Sequence, residues 1–591
     1  QQVGNRLFEC NAIEGADARY AQAAGNWRGM VVVATVSHDN ISSYKKLVCK
    51  YNTYMNSLWD EKEAGRCVGE LELRAWSSRL LGSEKALVMV GGGNTSVKLR
   101  EDGEDILYIK GSGADLAHVT EKDFAPVRLA AVKRLIERDA MSNAEMAVEF
   151  RAALANPKAP RPSIETLLHA ILPFKWVEHT HADAVLAVAN TDHGERHIRA
   201  ALGDAVLIVP YHNSGFELAK ACHEVFSREA TANTIGMVLM HHGLFAFGDN
   251  ARESYERMIA LVTRAEDYLK SCCAGDIPLR FPPAQAASGQ GMLALAALRR
   301  DISRAAGFPL VMTLSSDLMS LAFARRPDLE SLSQRGPATP HHAVFTKRVP
   351  MLGRDVAAFT AAYRRYLAQN APEQAERLPD VAPRIVLDPE WGLISAGITA
   401  FYADAAAEIY RHSMKIQSRA EALEAYASLP PREVLAAEIE YGGFEQTMRN
   451  QYALAGQVVL VDRALSNQAK VEELLAKGAA VIGLDNDPAV KTLHPQPEYL
   501  GLCCGLADSQ IEADGCRSGL ARDQRHPSRA SPLLPNLSNP VDRPLYNPTE
   551  IAAALELSVR RFGGIDRLLG GDALLQEMCR PLLALSPLQS E

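Results

Sequence analysis

The chain has 591 residues, 47% hydrophobic, 23% charged and 6% aromatic, with a formal net charge of -8. At about 150 residues per domain that length suggests three or four domains, and so ordinary a composition excludes wholesale disorder, collagen and coiled coil. A mildly acidic chain without a basic stripe argues against a nucleic-acid binder. No run approaches the roughly 18 apolar residues of a membrane span, and no signal-peptide pattern opens the chain. Ten cysteines without a CxxC pair imply neither a disulfide framework nor a cysteine zinc site. The default expectation is a cytoplasmic protein with no nucleic-acid or membrane partner.

Residues 1–54 show no clear period and read as an N-terminal extension. From residue 55 to 281 the chain is dense in element signals. Glu70 to Leu81 reads as a helix, and the apolar run Ala86 to Val90 as a buried strand. Ile106 to Ile109 reads as a strand, and Phe124 to Arg138 and Ser163 to Ile171 as helices. Val177 to Val188, Ala205 to Val209 and Met237 to Met240 read as buried strand material, and Arg252 to Leu269 as an amphipathic helix. Residues 282–428 read as a mainly helical linking region, with Ala400 to Ile416 its best helix. The last zone, 429–591, enters a strand-helix-strand pattern at Gln457 to Leu484. Residues 513–548, rich in proline, serine and arginine, read as a disordered insertion.

The sharpest local feature is Glu178-His179-Thr180-His181-Ala182-Asp183. Side chains two apart on a strand share a face, so His179 and His181 can converge on one ion. A third imidazole is available in Met240-His241-His242-Gly243. Three imidazoles with an open fourth position suit a catalytic metal. The second feature is Gly91-Gly92-Gly93-Asn94-Thr95-Ser96, with Lys110-Gly111-Ser112-Gly113 beyond it. Adjacent glycines let backbone N–H groups approach a phosphate, and Asn and Ser add donors. It is neither GxGxxG nor a P-loop. The third is Pro162-Ser163-Ile164-Glu165, where Ser163 can N-cap the next helix and Glu165 can serve the helix dipole or proton transfer near a metal.

Together GGGNTS at Gly91, KGSG at Lys110, PSIETLLH at Pro162, EHTHAD at Glu178, PYHNSGF at Pro210 and HHG at His241 resemble the class II aldolase/adducin family, in order and separation. The stretch from Arg335 to Pro340, Thr346-Lys347 and Glu438-Ile439-Glu440-Tyr441 resemble a narrower group. That group, which includes rhamnulose-1-phosphate aldolase/alcohol dehydrogenase proteins, fuses the aldolase to a C-terminal short-chain dehydrogenase. The resemblance implies an α/β fold: an α/β/α aldolase domain with a mainly antiparallel central sheet, then a partial Rossmann-like domain. It also implies a homo-oligomer acting on a small sugar phosphate. Carried over by position, His179, His181 and His242 are the metal ligands, with Zn2+ or another divalent ion bound. Glu165 is the acid/base carboxylate and Tyr211 a proton-donating tyrosine. Asn94, Ser112, Gly113 and Ser163 bind substrate phosphate, and His241 is structural. The implied reaction is retro-aldol cleavage of a ketose 1-phosphate to dihydroxyacetone phosphate and an aldehyde.

The tail departs from that group. Val458 to Val461, a helix through Leu475 and Val481 to Asp485 keep the dinucleotide-binding frame, with Asp485 at the ribose-contact position. Between Val461 and the helix, Asp462 to Gln468 contains no glycine, and no Tyr follows Tyr546 to supply a YxxxK pair. The expectation is a degenerate, truncated dehydrogenase domain that does not bind NAD. The alternatives are an NAD-dependent short-chain dehydrogenase, a sugar-phosphate epimerase and a non-catalytic, adducin-like interaction protein.

Overall fold

The computed structural model describes residues 30–34, 46–51, 55–275, 277–280, 290–371, 378–505 and 546–588. Most of the N-terminal extension, and all of the expected disordered insertion up to residue 545, lie outside the described residues. Met30–Ala34 and Lys46–Tyr51 form a three-stranded antiparallel sheet with Ile277–Arg280.

A seven-stranded sheet dominates the next part. Its strands are β1 (Asn94–Glu101), β2 (Glu104–Lys110), β3 (Phe124–Arg128), β4 (Trp176–Thr180), β5 (Val206–Val209), β6 (Gly236–Leu239) and β7 (Gly243–Gly248), in spatial order β3-β2-β1-β4-β7-β6-β5. Only β5 and β6 run parallel. Alternation along the strands feeds two cores. Val206, Ile208 and Val238 pack on α1 (Glu70–Ser83), α3 (Asp183–Ala189) and α5 (Ala251–Ser271). Leu207, Val209 and Met237 pack on the other face against α2 (Thr166–Ile171) and α4 (Phe216–Glu229). This two-faced burial is what period-2 strands require when helices cover both sides.

Several expected elements differ. The run Ala86 to Val90 has a buried centre, Leu87 to Met89, but is not a strand; it lies in turns, and the strand follows the glycines as β1. A short apolar run does not distinguish a strand from buried coil. The first half of Phe124 to Arg138 is strand β3, whose Pro126 is tolerated because β3 is an edge strand. In Val177 to Val188 only the first residues are strand, and α3 follows from Asp183; every α3 residue is buried, so no helical period is visible. Ser163 does not cap α2. The helix starts at Thr166 with Glu165 as its boundary residue.

The linking region is built on a sheet that the sequence reading missed. Its strands are β8 (Val311–Ser315), β9 (Met351–Leu352), β10 (Ile385–Asp388) and β11 (Gly392–Gly397), in order β8-β11-β10-β9. β10 and β11 are buried at every position, so they show no alternation, and β9 has only two residues. Around it lie α6 (Gln290–Ala306), α7 (Pro340–Thr346), α8 (Ala400–Leu423) and α9 (Pro431–Gln451). Ile385, Leu387 and Leu393 pack towards α8 and reach Leu186 of α3. Val386 and Ile394 share a core with the C-terminal part. There, β12 (Val458–Asp462), β13 (Ala480–Asp485), β14 (Tyr499–Cys503) and β15 (Arg567–Leu569) form an all-parallel sheet in order β14-β13-β12-β15. Arg299 of α6 clasps it with a buried ion pair to Asp566 at 2.6 Å and a hydrogen bond to the Gly456 carbonyl. No described helix is long and apolar enough to cross a membrane.

Candidate metal centre

Three neighbouring strands of the first sheet bring the site together. Register sets Asn94 of β1 opposite His179 of β4, and His179 opposite Phe245 of β7. His181 lies just past the end of β4, and His242 lies in the tight turn between β6 and β7. That turn needs a left-handed residue, and His241 takes it at φ 55°. The glycine-rich turn approaches from the other side. Gly93 has φ 65°, and a Cβ there would lie 2.8 Å from the His179 carbonyl oxygen. Only glycine meets both conditions.

His179, His181 and His242 are all buried, and one ring nitrogen from each lies within 4.8 Å of the others. The Nδ1–H of His179 donates to the Leu244 carbonyl at 3.1 Å, so its Nε2 carries a lone pair, 3.1 Å from Nε2 of His181. Two ligands about 2.0–2.1 Å from a tetrahedral ion would stand roughly 3.3 Å apart, and the backbone partner is what orients a ligating histidine. Burial pushes the His179 imidazole down to about 4 and drives His181 well below the ordinary value. Neutral rings with facing nitrogens call for a shared cation or proton, so the donor set fits a metal.

Glu165 Oε1 lies 3.0 Å from His242 Nε2, and its Oε2 lies 3.6 Å from His179 Nε2. Burial raises the Glu165 carboxyl, but His179, His242 and a hydrogen bond from Asn94 outweigh it, and the net direction is down. Asn94 Nδ2 donates to Glu165 Oε2 and to Ser163 Oγ, the latter at 3.1 Å. Its Oδ1 accepts from His169 Nε2, and His169 Nδ1 accepts from Ser96 Oγ at 2.8 Å. Asn94 is thus committed to orienting Glu165. Ser112 and Gly113 are exposed in the turn after β2, where Ser112 N–H donates to the Arg161 carbonyl at 2.8 Å. That bond places them beside Ser163.

The structure does not bring Tyr211 into bonding contact with the histidines or Glu165. Its hydroxyl donates to Asn213 Oδ1 at 2.9 Å. Burial, with Glu433 and Glu440 of α9 adding to it, raises its pKa, so the phenol keeps its proton. His241 stands outside the ligand cluster, its Nδ1 bonded to Asn190 Nδ2 at 2.9 Å. Sequence reasoning missed His169, although it lies one helical turn after Glu165 and that spacing puts both on one face. It also missed Arg74, whose fully buried guanidinium pairs with Glu178 at 3.0 Å beneath β4.

Residues 73–269 match the family described as Class II Aldolase and Adducin N-terminal domain. Residues 290–447 match the one described as Aldolase class II, second domain, which runs through the linking region and into the zone the sequence reading gave to the tail. A Bacillus subtilis (strain 168) protein named uncharacterized oxidoreductase YuxG is 30% identical over 416 residues, 66% of this chain and 59% of that protein. The chain therefore spans about three fifths of the length of that curated relative. Among solved structures, the N-terminal class II aldolase domain of a conserved Thermoplasma acidophilum protein is 36% identical, covering 36% of this chain and 99% of that one, with a TM-score of 0.34. The l-fuculose-1-phosphate aldolase of Thermus thermophilus is 19% identical, covering 34% and 95%, with a TM-score of 0.24. Residues 73–269, with the three histidines at the ends of adjacent strands, are a class II aldolase/adducin domain, followed at residues 290–447 by the second domain of class II aldolases.

Proposed function

We propose that the protein is a zinc-dependent lyase that cleaves a ketose 1-phosphate of the rhamnulose 1-phosphate type into dihydroxyacetone phosphate and an aldehyde. The observation that carries this reading is the convergence of His179, His181 and His242 with Glu165 set against two of them. Three imidazoles and an open position suit catalytic zinc. A divalent ion held there supplies Lewis-acid polarisation of a carbonyl oxygen. Glu165, desolvated and aimed by Asn94, gives or takes a proton at the carbon beside that carbonyl. In the condensation direction Tyr211, protonated and held by Asn213, delivers a proton to the aldehyde oxygen after a movement of its loop, and in cleavage the same path reversed returns that proton from the substrate hydroxyl to the tyrosine oxygen. Ser112, Gly113 and Ser163 offer phosphate donors. Asn94 joins them only if it releases one of its present partners.

The C-terminal strand order, third-second-first-fourth in chain sense, supports descent from a dinucleotide-binding sheet. The crevice at its carboxyl ends is filled from within. Asp462 accepts from Tyr546 Oη at 2.7 Å and from the Gly571 N–H at 3.1 Å. Asp485, at the ribose-contact position, accepts from the Leu465 and Asn486 N–H groups. We infer that this part packs against the second domain and does not bind NAD.

The test is metal analysis together with a coupled assay for dihydroxyacetone phosphate release across a panel of ketose 1-phosphates. Glu165→Gln should keep the metal and slow turnover by about 10²–10⁴-fold. A metal-loaded protein that cleaves no member of the panel refutes the aldolase reading, and micromolar NAD binding refutes the reading of the tail.

A further inference from the structure

The ligands and Glu165 all come from the first domain, yet one wall of their site belongs to the second. Thr339 caps α7, its side chain accepting from the His342 N–H, and Pro340 opens the helix. His341, the next residue, has its ring centroid 5.2 Å from that of His181. Its Nε2 donates to the Val90 carbonyl at 3.0 Å, at the entrance to the glycine turn. Gly92 lies between the two rings: a Cβ there would stand 3.0 Å from His181 Nδ1 and 3.4 Å from His341 Nε2. His181 Nδ1 is buried without a hydrogen-bond partner. Two positions along α7, Ala343 belongs to the small apolar cluster against which Tyr211 packs. The one helix therefore borders both the metal-ligand end and the tyrosine end of the site.

Asn190 fixes this placement. Its Nδ2 donates to the Ala338 carbonyl at 2.7 Å and to His241 Nδ1 at 2.9 Å. A single side chain ties the turn entering α7 to the turn that presents the third ligand.

We propose that His341 is a substrate-contacting residue supplied by the second domain, its Nδ1 accepting a hydrogen bond from a hydroxyl on the carbon chain of the substrate. The proposal rests on the aldolase reading above. A carbonyl can only accept, so the Val90 contact puts the ring proton on Nε2 and leaves Nδ1 of the neutral ring as an acceptor. A sugar chain carries hydroxyl donors, whereas an ionised phosphate offers only acceptors. His341 therefore addresses a hydroxyl of the ketose and not its phosphate, and we assign it to the aldehyde-derived half, which carries more of those hydroxyls than the dihydroxyacetone half.

The experiment compares His341→Ala, His341→Gln and wild type in the full chain, with metal content measured for each. His341→Ala should raise KM for the ketose 1-phosphate roughly tenfold, the worth of one net hydrogen bond. In the condensation direction KM for the aldehyde should rise while KM for dihydroxyacetone phosphate is unchanged, and His341→Gln, which keeps an acceptor oxygen, should recover most of the loss. An active wild type with KM and kcat unaltered in His341→Ala overturns the inference alone. So does loss of metal from the variant, or weakening confined to dihydroxyacetone phosphate. A wild type that cleaves no ketose 1-phosphate overturns the aldolase reading and takes this inference with it.

Discussion

Replacing Arg74 by Met should cost about 3–5 kcal/mol, the penalty for removing one partner of a fully buried ion pair. Arg74 and Glu178 are both fully buried, 3.0 Å apart, and lie under the strand that carries His179. Arg74 also donates to Ser77 Oγ and Ser78 Oγ at 2.9 and 3.2 Å, while Glu178 has one further donor, Ser254 Oγ at 2.7 Å. Without the guanidinium, one hydroxyl is left to solvate a buried carboxylate, well short of what it needs. The double variant Arg74→Met/Glu178→Leu removes the stranded charge as well and should be more stable than Arg74→Met, with a coupling of at least about 2 kcal/mol. Guanidinium unfolding is followed by tryptophan fluorescence. Trp176 is an apt reporter because its ring lies 5.1 Å from the Arg74 guanidinium carbon. A loss below about 1 kcal/mol in Arg74→Met, the range of an exposed pair, would refute the argument.

Gly93→Ala should cost at least about 1–2 kcal/mol from its left-handed backbone alone. It should also weaken metal binding, since its Cβ presses on the His179 carbonyl; equilibrium dialysis with zinc checks this. A divalent ion at a hundred times its dissociation constant should add about 2.7 kcal/mol, so chelation should lower Tm and re-addition restore it, whereas His179→Ala should show neither response. Glu438 gives a pH dependence: burial raises its carboxyl to about 7, above its unfolded value. Its stability contribution is complete below about pH 4.5, where both states are protonated, and is lost as pH rises through 7. Glu438→Gln should therefore match wild type at pH 4.5 and exceed it by about 3 kcal/mol at pH 8 in thermal melts.

The part of the site legible in the sequence is the part written locally. His179 and His181 share a face because they are two apart on a strand, and β4 supplies that strand. The strand-end position of His242 follows from the apolar run before it. What stayed hidden depends on long-range register. That Asn94 faces His179 is set by the pairing of β1 with β4, and Arg74 meets Glu178 across 104 positions. His341 is 251 positions from the Val90 carbonyl it binds, in a zone whose central strands are buried throughout and show no period. The errors at Ala86 to Val90 and in α3 share one cause. α3 is buried throughout, as are Leu87, Val88 and Met89, and uniform burial erases the contrast between faces on which periodicity depends.

The same geometry argues that the two aldolase domains act as one body. Asp183, two residues after His181, accepts from His412 Nδ1 of α8 at 2.8 Å, and buried Glu266 of α5 pairs with Arg419 of α8 at 2.9 Å. Leu186 of α3 belongs to the apolar core of the second domain. A first domain isolated at residue 275 would keep its three histidines but leave Asp183 and Glu266 without these hydrogen-bond partners, and would expose Leu186. The hydrogen bonds and the apolar contact that α8 gives to α3 and α5 would be lost together. The second domain therefore completes the packing of the helices behind the histidine-bearing strand as well as bordering the candidate site.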